Sequence, residues 1–239
     1  MKQKAIIFDF DDTLVMTKEI SINKHKEAAR RLGISFDENE LIKRWGMPWP
    51  ALLHEFMGDR TEEFISMMGG MDEFRIRRFK GANKAISEAR GKGALLGILS
   101  SSERDWILQK SKDAGIRLDL FEGDLVFSSE DVRRHKPHPK SFEVIIDKLK
   151  VKGISKSEIT YCGDSLMDFR TSSAAGVNFI AVTTGFATTE DFIREGVERE
   201  NIIDSIAGLP EILDKSEGSC GTEEGGTLPT AAAESQGGK

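Results

Sequence analysis

Five short apolar runs limit the fold of this 239-residue chain more than any other feature of its sequence. They are rich in Ile, Val, Leu and Phe, they alternate with stretches of helical periodicity, and they cover residues 5–8, 95–99, 125–127, 159–162 and 179–182. Such runs are typical of strands buried on both faces, as in a parallel sheet with helices on each side. Residues 202–203 are a shorter, sixth candidate strand. The pattern therefore predicts a doubly wound α/β fold with a parallel sheet of about five to six strands.

A long insertion interrupts the alternation between the first and second strands, where about 80 residues carry no convincing strand pattern. Helical patterns cover residues 18–32, 38–45, 50–57 and 61–80, and Gly33 is placed to end the first of them. We predict a helical cap domain over residues 16–80, with residues 1–15 and 81–214 forming the α/β core. A unit joined by two chain crossings can open and close over a site at the sheet edge.

Composition and charge limit the partners and the compartment. Lys and Arg total 34 against 40 Asp and Glu, and the net charge of -6 gives no general attraction to nucleic acid or to an anionic membrane. Cys162 and Cys220 do not make a disulfide framework, and no segment has the pattern of a signal peptide or a membrane helix. We therefore predict a cytoplasmic protein that binds neither nucleic acid nor a membrane. The composition of residues 215–239 predicts a disordered tail, and no pattern specifies the oligomeric state.

Polar side chains follow four of the predicted strands. They include the carboxylates of Asp9, Asp11, Asp164 and Asp168, the hydroxyls of Ser100 and Ser101, and the ammonium of Lys136. In an open α/β sheet the site forms outside the carboxyl ends of the strands, so these groups are expected to meet at one rim. A carboxylate can attack a phosphate ester only where cations and hydrogen-bond donors offset the negative charge. Clustered aspartates beside a lysine therefore predict phosphoryl transfer assisted by Mg²⁺, which prefers oxygen ligands.

Four segments carry a family resemblance. D-F-D-D-T-L from Asp9, the hydroxyl of Ser100, K-P-H-P from Lys136 and G-D-S-L-M-D from Gly163, in this order, resemble the four motifs of the haloacid dehalogenase-like hydrolase superfamily. The likeness covers about residues 4 to 213 and is to the phosphatase branch with a helical cap, which includes phosphoglycolate phosphatases and β-phosphoglucomutases. It implies a Rossmann-like core. One residue departs from the motif, because Asp12 stands where many relatives have glycine; an exposed Asp is expected to fit such a turn.

The resemblance also implies roles for individual residues. Asp9 would be the nucleophile and a metal ligand, and Asp11 would be the general acid and base, with its backbone carbonyl on the metal. Ser100 would donate a hydrogen bond to the phosphoryl group, and Ser101 would contribute its backbone N–H. Lys136 would neutralise that group and orient Asp9. Asp164 would complete the metal ligands, with Asp168 beside it.

Each of these residues also has a structural explanation. The run from Asp9 to Asp12 is compatible with a solvated turn, the serines with an ordinary strand end, and Lys136 with the surface. Asp164 and Asp168 are compatible with capping and lining the start of a helix. Asp168 is also compatible with holding a water molecule rather than the metal. The four histidines, His25, His54, His135 and His138, have no ligand-like spacing and are expected at the surface.

Two segments of the predicted cap have two explanations each. The basic run Arg75, Arg77, Arg78 and Lys80 is compatible with a solvated helix face or with contact to an anionic substrate. The segment with Trp45, Gly46 and Trp49 is compatible with a loop that projects toward the substrate or with a packed cap core.

The predicted function is a Mg²⁺-dependent phosphatase that hydrolyses a small phosphate monoester through an aspartyl-phosphate. The alternatives are a phosphomutase acting on a sugar phosphate, which would share these core residues, and a non-catalytic phosphate-binding or regulatory module, which would lack one of Asp9 and Asp11. A dehalogenase would not need Asp11 or a metal. The expected partner is a small phosphorylated metabolite, and the candidates include phosphoglycolate, sugar phosphates and nucleoside monophosphates.

Overall fold

A computed structural model describes residues 3–44, 49–71 and 75–218. Within these residues there are eight strands: β1 (Ala5–Phe8), β2 (Val15–Met16), β3 (Arg77–Arg78), β4 (Leu95–Leu99), β5 (Val126–Phe127), β6 (Ile159–Gly163), β7 (Asn178–Val182) and β8 (Ile202–Ile203). Six of them form one parallel sheet in the order β5-β4-β1-β6-β7-β8. The predicted fold class is confirmed, and the short sixth strand is part of the sheet.

Ten α-helices lie in the same described part of the chain. They are α1 (Lys18–Leu32), α2 (Glu38–Lys43), α3 (Trp49–Met57), α4 (Thr61–Gly69), α5 (Ala82–Gly91), α6 (Arg104–Ala114), α7 (Glu143–Val151), α8 (Leu166–Ala175), α9 (Thr189–Glu195) and α10 (Leu209–Gly218). None of these helices is both long and apolar enough to cross a membrane.

Two apolar clusters cover the two faces of the sheet. Alternate residues of β1 point to opposite faces, so Ile6 and Phe8 join the cluster with α5, α6 and α10, whereas Ala5 and Ile7 join the cluster with α7, α8 and α9. β1 lies between β4 and β6, where the strand order reverses. Such a switch point opens a crevice at the carboxyl ends of the strands, and β1 there leads directly into Asp9.

The helices α1, α3 and α4 share an apolar cluster of their own, which includes Ala28, Leu53 and Phe64, and Leu41 of α2 lies in a smaller cluster. Helix α1 ends at Gly33, which adopts a left-handed conformation with φ 63°, as predicted. The predicted helix over residues 61–80 is wrong in its second half. Helix α4 ends at the Gly69–Gly70 pair, because glycine disfavours helix, and Arg77–Arg78 pairs antiparallel with Val15–Met16. The cap boundaries at residues 16 and 80 remain a prediction.

The expectation of four surface histidines is wrong for His25. This side chain is fully buried in the apolar cluster of the helical insertion, between the rings of Phe36 and Phe64. Its Nδ1 lies 2.6 Å from the carbonyl oxygen of Ser21, one turn earlier in α1, and that contact allows an imidazole to be buried. Burial lowers the pKa of His25. His54, His135 and His138 are exposed.

The remaining predictions for this region have mixed outcomes. Arg75, Arg77, Arg78 and Lys80 are exposed, but on a strand and its flanks rather than on a helix. Trp45, Gly46 and the side chain of Trp49 lie outside the described residues. At the other end of the chain, α10 continues to Gly218, past the start of the predicted tail, and residues 219–239 also lie outside the described part.

Candidate active site

A tight turn after β1 positions the first two carboxylates. The amides of Leu14 and Val15 both donate to the carbonyl oxygen of Phe10, at 3.0 and 3.2 Å. The amide of Asp12 donates to the carbonyl of Val15 at 2.8 Å, and Asp12 itself has φ 57°, a conformation that Asp tolerates better than most residues. The turn therefore holds Asp9 and Asp11 directly after the carboxyl end of β1, at the rim of the sheet.

Asp12 is buried, so the expectation of an exposed residue is wrong. Its carboxylate accepts hydrogen bonds from the amides of Thr17 and Lys18, at 2.9 and 2.7 Å, and from the hydroxyl of Thr17 at 3.0 Å. These amides are at the start of α1, where the free N–H groups and the helix dipole favour a negative charge. The side chain of Thr17, the N-cap residue, makes no cap hydrogen bond to the first turn of the helix, and Asp12 performs that function from the turn after β1.

Lys136 lies at the centre of a buried group of polar side chains. Its Nζ donates to Asp9 Oδ1 at 3.0 Å, to Asp168 Oδ1 at 2.6 Å and to the hydroxyl of Tyr161 at 3.0 Å. Burial alone would lower the pKa of Lys136, but the negative charges of Asp168 and Asp9 outweigh it and raise the pKa. The ammonium is therefore charged across the physiological range. The structural alternative of a surface lysine is excluded, because this side chain is buried.

Three buried carboxylates converge closely enough to hold a metal ion. One oxygen from each of Asp9, Asp164 and Asp168 lies within 4.8 Å of the others. Thr13 Oγ1 donates to Asp164 Oδ1 at 3.1 Å and so orients this side chain. The side chain of Asp11 is not in the group. A set of hard carboxylate oxygens fits a divalent cation that prefers oxygen ligands.

Burial and neighbouring negative charge raise the pKa values of two of these carboxyl groups. Burial, with the charges of Asp168 and Asp11, raises the pKa of Asp9 to about 7, although Lys136 opposes the shift. Burial, together with the charges of Asp168 and Asp9, raises the pKa of Asp164 well above its usual value. One ammonium does not neutralise three buried carboxylates, so a bound cation would relieve the remaining repulsion.

Asp168 is held at both carboxylate oxygens by groups of the protein. Oδ1 accepts from Lys136, and Oδ2 accepts from the hydroxyl and amide of Ser165, at 2.5 and 3.1 Å, in a capping box at the start of α8. The helix-start explanation for Asp168 is therefore correct, and it coexists with the position beside Asp9. Gly163 makes this arrangement possible, because a Cβ there would lie 2.7 Å from Cβ of Asp168.

The serines after β4 form the side of the site that faces Asp11. Ser100 is buried, and its hydroxyl oxygen accepts from the amide of Ser102 at 3.0 Å. Ser101 is half-buried. The hydroxyl of Ser102 donates to Asp11 Oδ2 at 2.6 Å, and Lys110 Nζ on α6 donates to Asp11 Oδ1 at 2.6 Å. Burial would raise the pKa of Asp11, but the charge of Lys110 and these hydrogen bonds lower it.

Three residues of this site were not predicted from the sequence. Ser102 and Lys110 carry no motif signal, because their contact with Asp11 depends on how α6 packs. Tyr161 did carry a signal: it is the single tyrosine of the chain and it lies in a buried strand, where a phenol needs a hydrogen-bond partner. Its hydroxyl accepts from Lys136 and donates to the carbonyl of Leu99 at 3.0 Å.

The loop after β7 joins the site to the helical insertion. Gly185 packs directly against the carboxylate of Asp164, where a Cβ would collide with Oδ2. Lys18 of α1 donates to the carbonyl oxygens of Thr184 and Gly185, at 3.1 and 2.6 Å, and Phe186 packs against an apolar cluster in the insertion. This loop was not predicted to contribute to the site.

Comparisons with known proteins agree with this arrangement. A model of the haloacid dehalogenase-like hydrolases matches residues 6–182. A protein of Caldanaerobacter subterraneus subsp. tengcongensis, assigned as the pyrophosphatase PpaX, is 26% identical over 187 residues, which cover 76% of this chain and 82% of that protein. The glyceraldehyde 3-phosphate phosphatase of Pyrococcus furiosus is 26% identical over an alignment of 243 positions, which covers 92% of this chain and 96% of that protein. A solved structure from Bacteroides fragilis, assigned to the same hydrolases, superposes with a TM-score of 0.71 and 26% identity, covering 87% of this chain and 100% of the other.

The family match extends from β1 to β7 and so includes the strand-end groups described above. The sheet and its flanking helices agree with the superposed structure. The resemblance inferred from the four motifs and the expectation of a hydrolase are therefore confirmed. The chain belongs to the haloacid dehalogenase-like hydrolase family.

Proposed function

We propose that this protein is a Mg²⁺-dependent phosphatase that hydrolyses a small phosphate monoester through a phosphorylated Asp9. The observation that carries the proposal is the contact between Lys136 Nζ and Asp9 Oδ1, at 3.0 Å, inside a buried group of carboxylates. A carboxylate beside a fixed ammonium and a cation can approach a phosphate dianion that would otherwise repel it. The relatives named as a pyrophosphatase and as a glyceraldehyde 3-phosphate phosphatase support a phosphorylated substrate.

The metal would be held by the side chains of Asp9 and Asp164, with the backbone carbonyl of Asp11, and Asp168 would lie beside it. Mg²⁺ bound there would supply positive charge to offset the charges of the nucleophile and the phosphoryl group. Lys136 would contribute a second positive charge, and Ser100 and the backbone N–H of Ser101 would donate hydrogen bonds to the phosphoryl oxygens.

Two displacements complete the proposed reaction. In the first, a carboxylate oxygen of Asp9 attacks phosphorus, the bond from phosphorus to the leaving oxygen breaks, and Asp11, in its protonated form, gives its proton to that oxygen. In the second, Asp11 takes a proton from water while the water oxygen attacks phosphorus, and the bond to Asp9 breaks. The products are the free alcohol and inorganic phosphate, and both carboxyl groups return to their starting states.

The helical insertion would act as a cap over this chemistry. We propose that residues 16–80 form it, because Asp12 and Lys18 join the start of α1 to the turn after β1 and to the loop after β7. Motion of α1 would therefore be transmitted to the rim of the site. Substrate selection by this unit would determine which small phosphorylated metabolite reacts.

The test is a measurement of phosphate release from a panel of phosphate esters and pyrophosphate, with Mg²⁺ and with a chelator in its place. We expect Mg²⁺-dependent release, and a rapid quench should leave one phosphoryl group on the peptide that contains Asp9. Mg²⁺ with beryllium fluoride should raise the melting temperature, because it mimics the acyl-phosphate. No release from any ester, or isomerisation of a sugar phosphate without release, would contradict a phosphatase.

A further inference from the structure

The ion pair between Lys110 and Asp11 lies at the surface of the site rather than in its core. Lys110 Nζ is 2.6 Å from Asp11 Oδ1 and 3.2 Å from the hydroxyl of Ser102, which bonds the other carboxylate oxygen. The Lys110 and Asp11 side chains keep 19% and 22% of their surface exposed, whereas those of Lys136 and Asp9 keep 6% and 10%. The pair is therefore accessible to a molecule that enters the site.

The position of α6 does not depend on this pair alone. Helix α6 is already anchored by the buried side chains of Ile107, Ser111 and Ala114 and by a bond from Arg78 to the carbonyl of Ala114, at 2.7 Å. A function at the site explains the position of Lys110 better than a structural role does.

Other cations near this rim are held by other partners. Lys136 is buried against Asp9 and Asp168, Lys18 donates to two backbone carbonyls, and Arg104 bonds Asp131 at 2.7 Å. Lys110 differs from them because its partner, Asp11, is the group assigned to protonate the leaving oxygen.

The distances define where a substrate group could meet Lys110. A leaving oxygen that accepts a proton from Asp11 would lie about 2.7 Å from that carboxylate. Since Nζ is 2.6 Å from the same carboxylate, Nζ and the leaving oxygen would be separated by roughly 5 Å. An anionic oxygen two or three bonds beyond the leaving oxygen would reach hydrogen-bond distance of Nζ.

We propose that Lys110 is a specificity-determining residue that selects substrates whose leaving part carries a second anion, a carboxylate or a phosphate, close to the leaving oxygen. The inference rests on the proposed function, because it takes Asp11 as the acid. An anion at this position takes over the ammonium from Asp11 Oδ1, and this oxygen is then free to contact the leaving oxygen. A neutral leaving group offers no such exchange and leaves Asp11 held by Lys110 and Ser102.

The test uses two esters that differ only in this anion, 2-phosphoglycolate and 2-hydroxyethyl phosphate. We expect the wild-type protein to have a kcat/KM at least about tenfold higher for the anionic ester, as for one charge-assisted hydrogen bond. Lys110→Met should reduce that ratio by about tenfold, and Lys110→Arg, which keeps the charge, should retain part of it. Lys112→Met removes the same charge from an exposed position on the same helix and should leave the ratio unchanged.

The outcomes separate this inference from the proposed function. A wild-type ratio near one, or an equal loss for both esters in Lys110→Met, would overturn the role of Lys110 while phosphatase activity stands. If neither ester nor any member of the wider panel is hydrolysed, the proposed function fails, and this inference fails with it.

Discussion

Two carboxylates of one turn, Asp9 and Asp11, lie in opposite environments. Asp9 is buried with Asp164 and Asp168, and burial and neighbouring negative charge raise its pKa to about 7. Asp11 faces the rim, where burial is outweighed by the charge of Lys110 and by the hydroxyl of Ser102, so that its pKa falls below the usual value. Although only two residues separate them, the two side chains contact different lysines, Lys136 and Lys110.

The difference shows how one loop can support two kinds of chemistry. The buried side has too much negative charge for its single lysine and therefore favours a cation, which suits a nucleophile that must meet a phosphate. The rim side is balanced by groups of the protein itself and remains accessible, so that Asp11 is ionised there, which suits the base that takes a proton from water. Its role as an acid requires that it first take up that proton and lose its contact with Lys110. The following predictions test this division, beginning with the largest expected effect.

Asp9→Asn should abolish hydrolysis, with at least about a thousandfold loss in kcat, because an amide cannot form the acyl-phosphate. The variant should stay folded, since the substitution removes an unfavourable buried charge. Phosphate release and circular dichroism would check the two expectations. Turnover that survives in a preparation free of contaminating phosphatase would contradict the assignment of the nucleophile.

Asp11→Asn should reduce steady-state turnover by about 10²- to 10⁴-fold, the range expected for loss of a general acid and base. With p-nitrophenyl phosphate, whose leaving group needs no proton, the variant should release one equivalent of nitrophenol rapidly and then stall, because the acyl-phosphate lacks its base. Stopped-flow absorbance would measure this burst. An alkyl phosphate should give no burst. An equal burst from both esters would contradict the role of Asp11 as the acid, and turnover that continues after the burst at the wild-type rate would contradict its role as the base.

Tyr161→Phe should lower kcat by about tenfold and the free energy of unfolding by about 1 kcal/mol. The change removes one acceptor from Lys136 and leaves the buried carbonyl of Leu99 without that donor. Thr160→Val is the matched control, because the neighbouring Thr160 hydroxyl is buried without a hydrogen-bond partner. Kinetics and denaturant unfolding of both variants would check this, and an equal kcat loss in the control would refute a specific role for Tyr161.

The smallest expected effect concerns pH. Because the pKa of Asp9 is raised from 3.8 to about 7 on folding, the folded protein binds more protons than the unfolded chain between these values. This contribution to stability is fully present below the lower value and is lost as the pH rises through 7. Without metal, the melting temperature of the wild type should therefore fall relative to Asp9→Asn, by a few degrees between pH 5 and 8. Calorimetry would measure the two melting temperatures. A difference between them that does not change with pH would argue against a raised pKa of Asp9.

Much of the fold could be predicted because its signals are local. Each buried strand is a short apolar run, and each run ends in the polar residue that the sheet then carries to its rim, as Phe8 leads into Asp9 and Leu99 into Ser100. The prediction was wrong where a local pattern had two solutions. The basic segment at Arg77–Arg78 had no periodicity that could show its pairing with Val15–Met16.

The burial of His25 and Asp12 shows the same limit. Each is a polar residue that composition assigns to the surface, and each is buried because nearby groups satisfy it: the carbonyl of Ser21 for one, the amides at the start of α1 for the other. The local sequence contains the partners, but whether a helix and a turn bring them into contact depends on the packing around them.

The sequence by itself determined the α/β alternation, the carboxylates, hydroxyls and ammonium at the strand ends, and the family. Only the tertiary structure decided which side chains contact one another. Lys136 contacts Asp168 and Tyr161, and Lys110 contacts Asp11 across 99 residues of chain. The alternation of strands and helices, and the positions where strands end, follow from apolar patterns that repeat every few residues. Such patterns are visible along the chain. Ion pairs between elements are set by the angle and register at which helices pack on the sheet, and no short stretch of sequence contains that information.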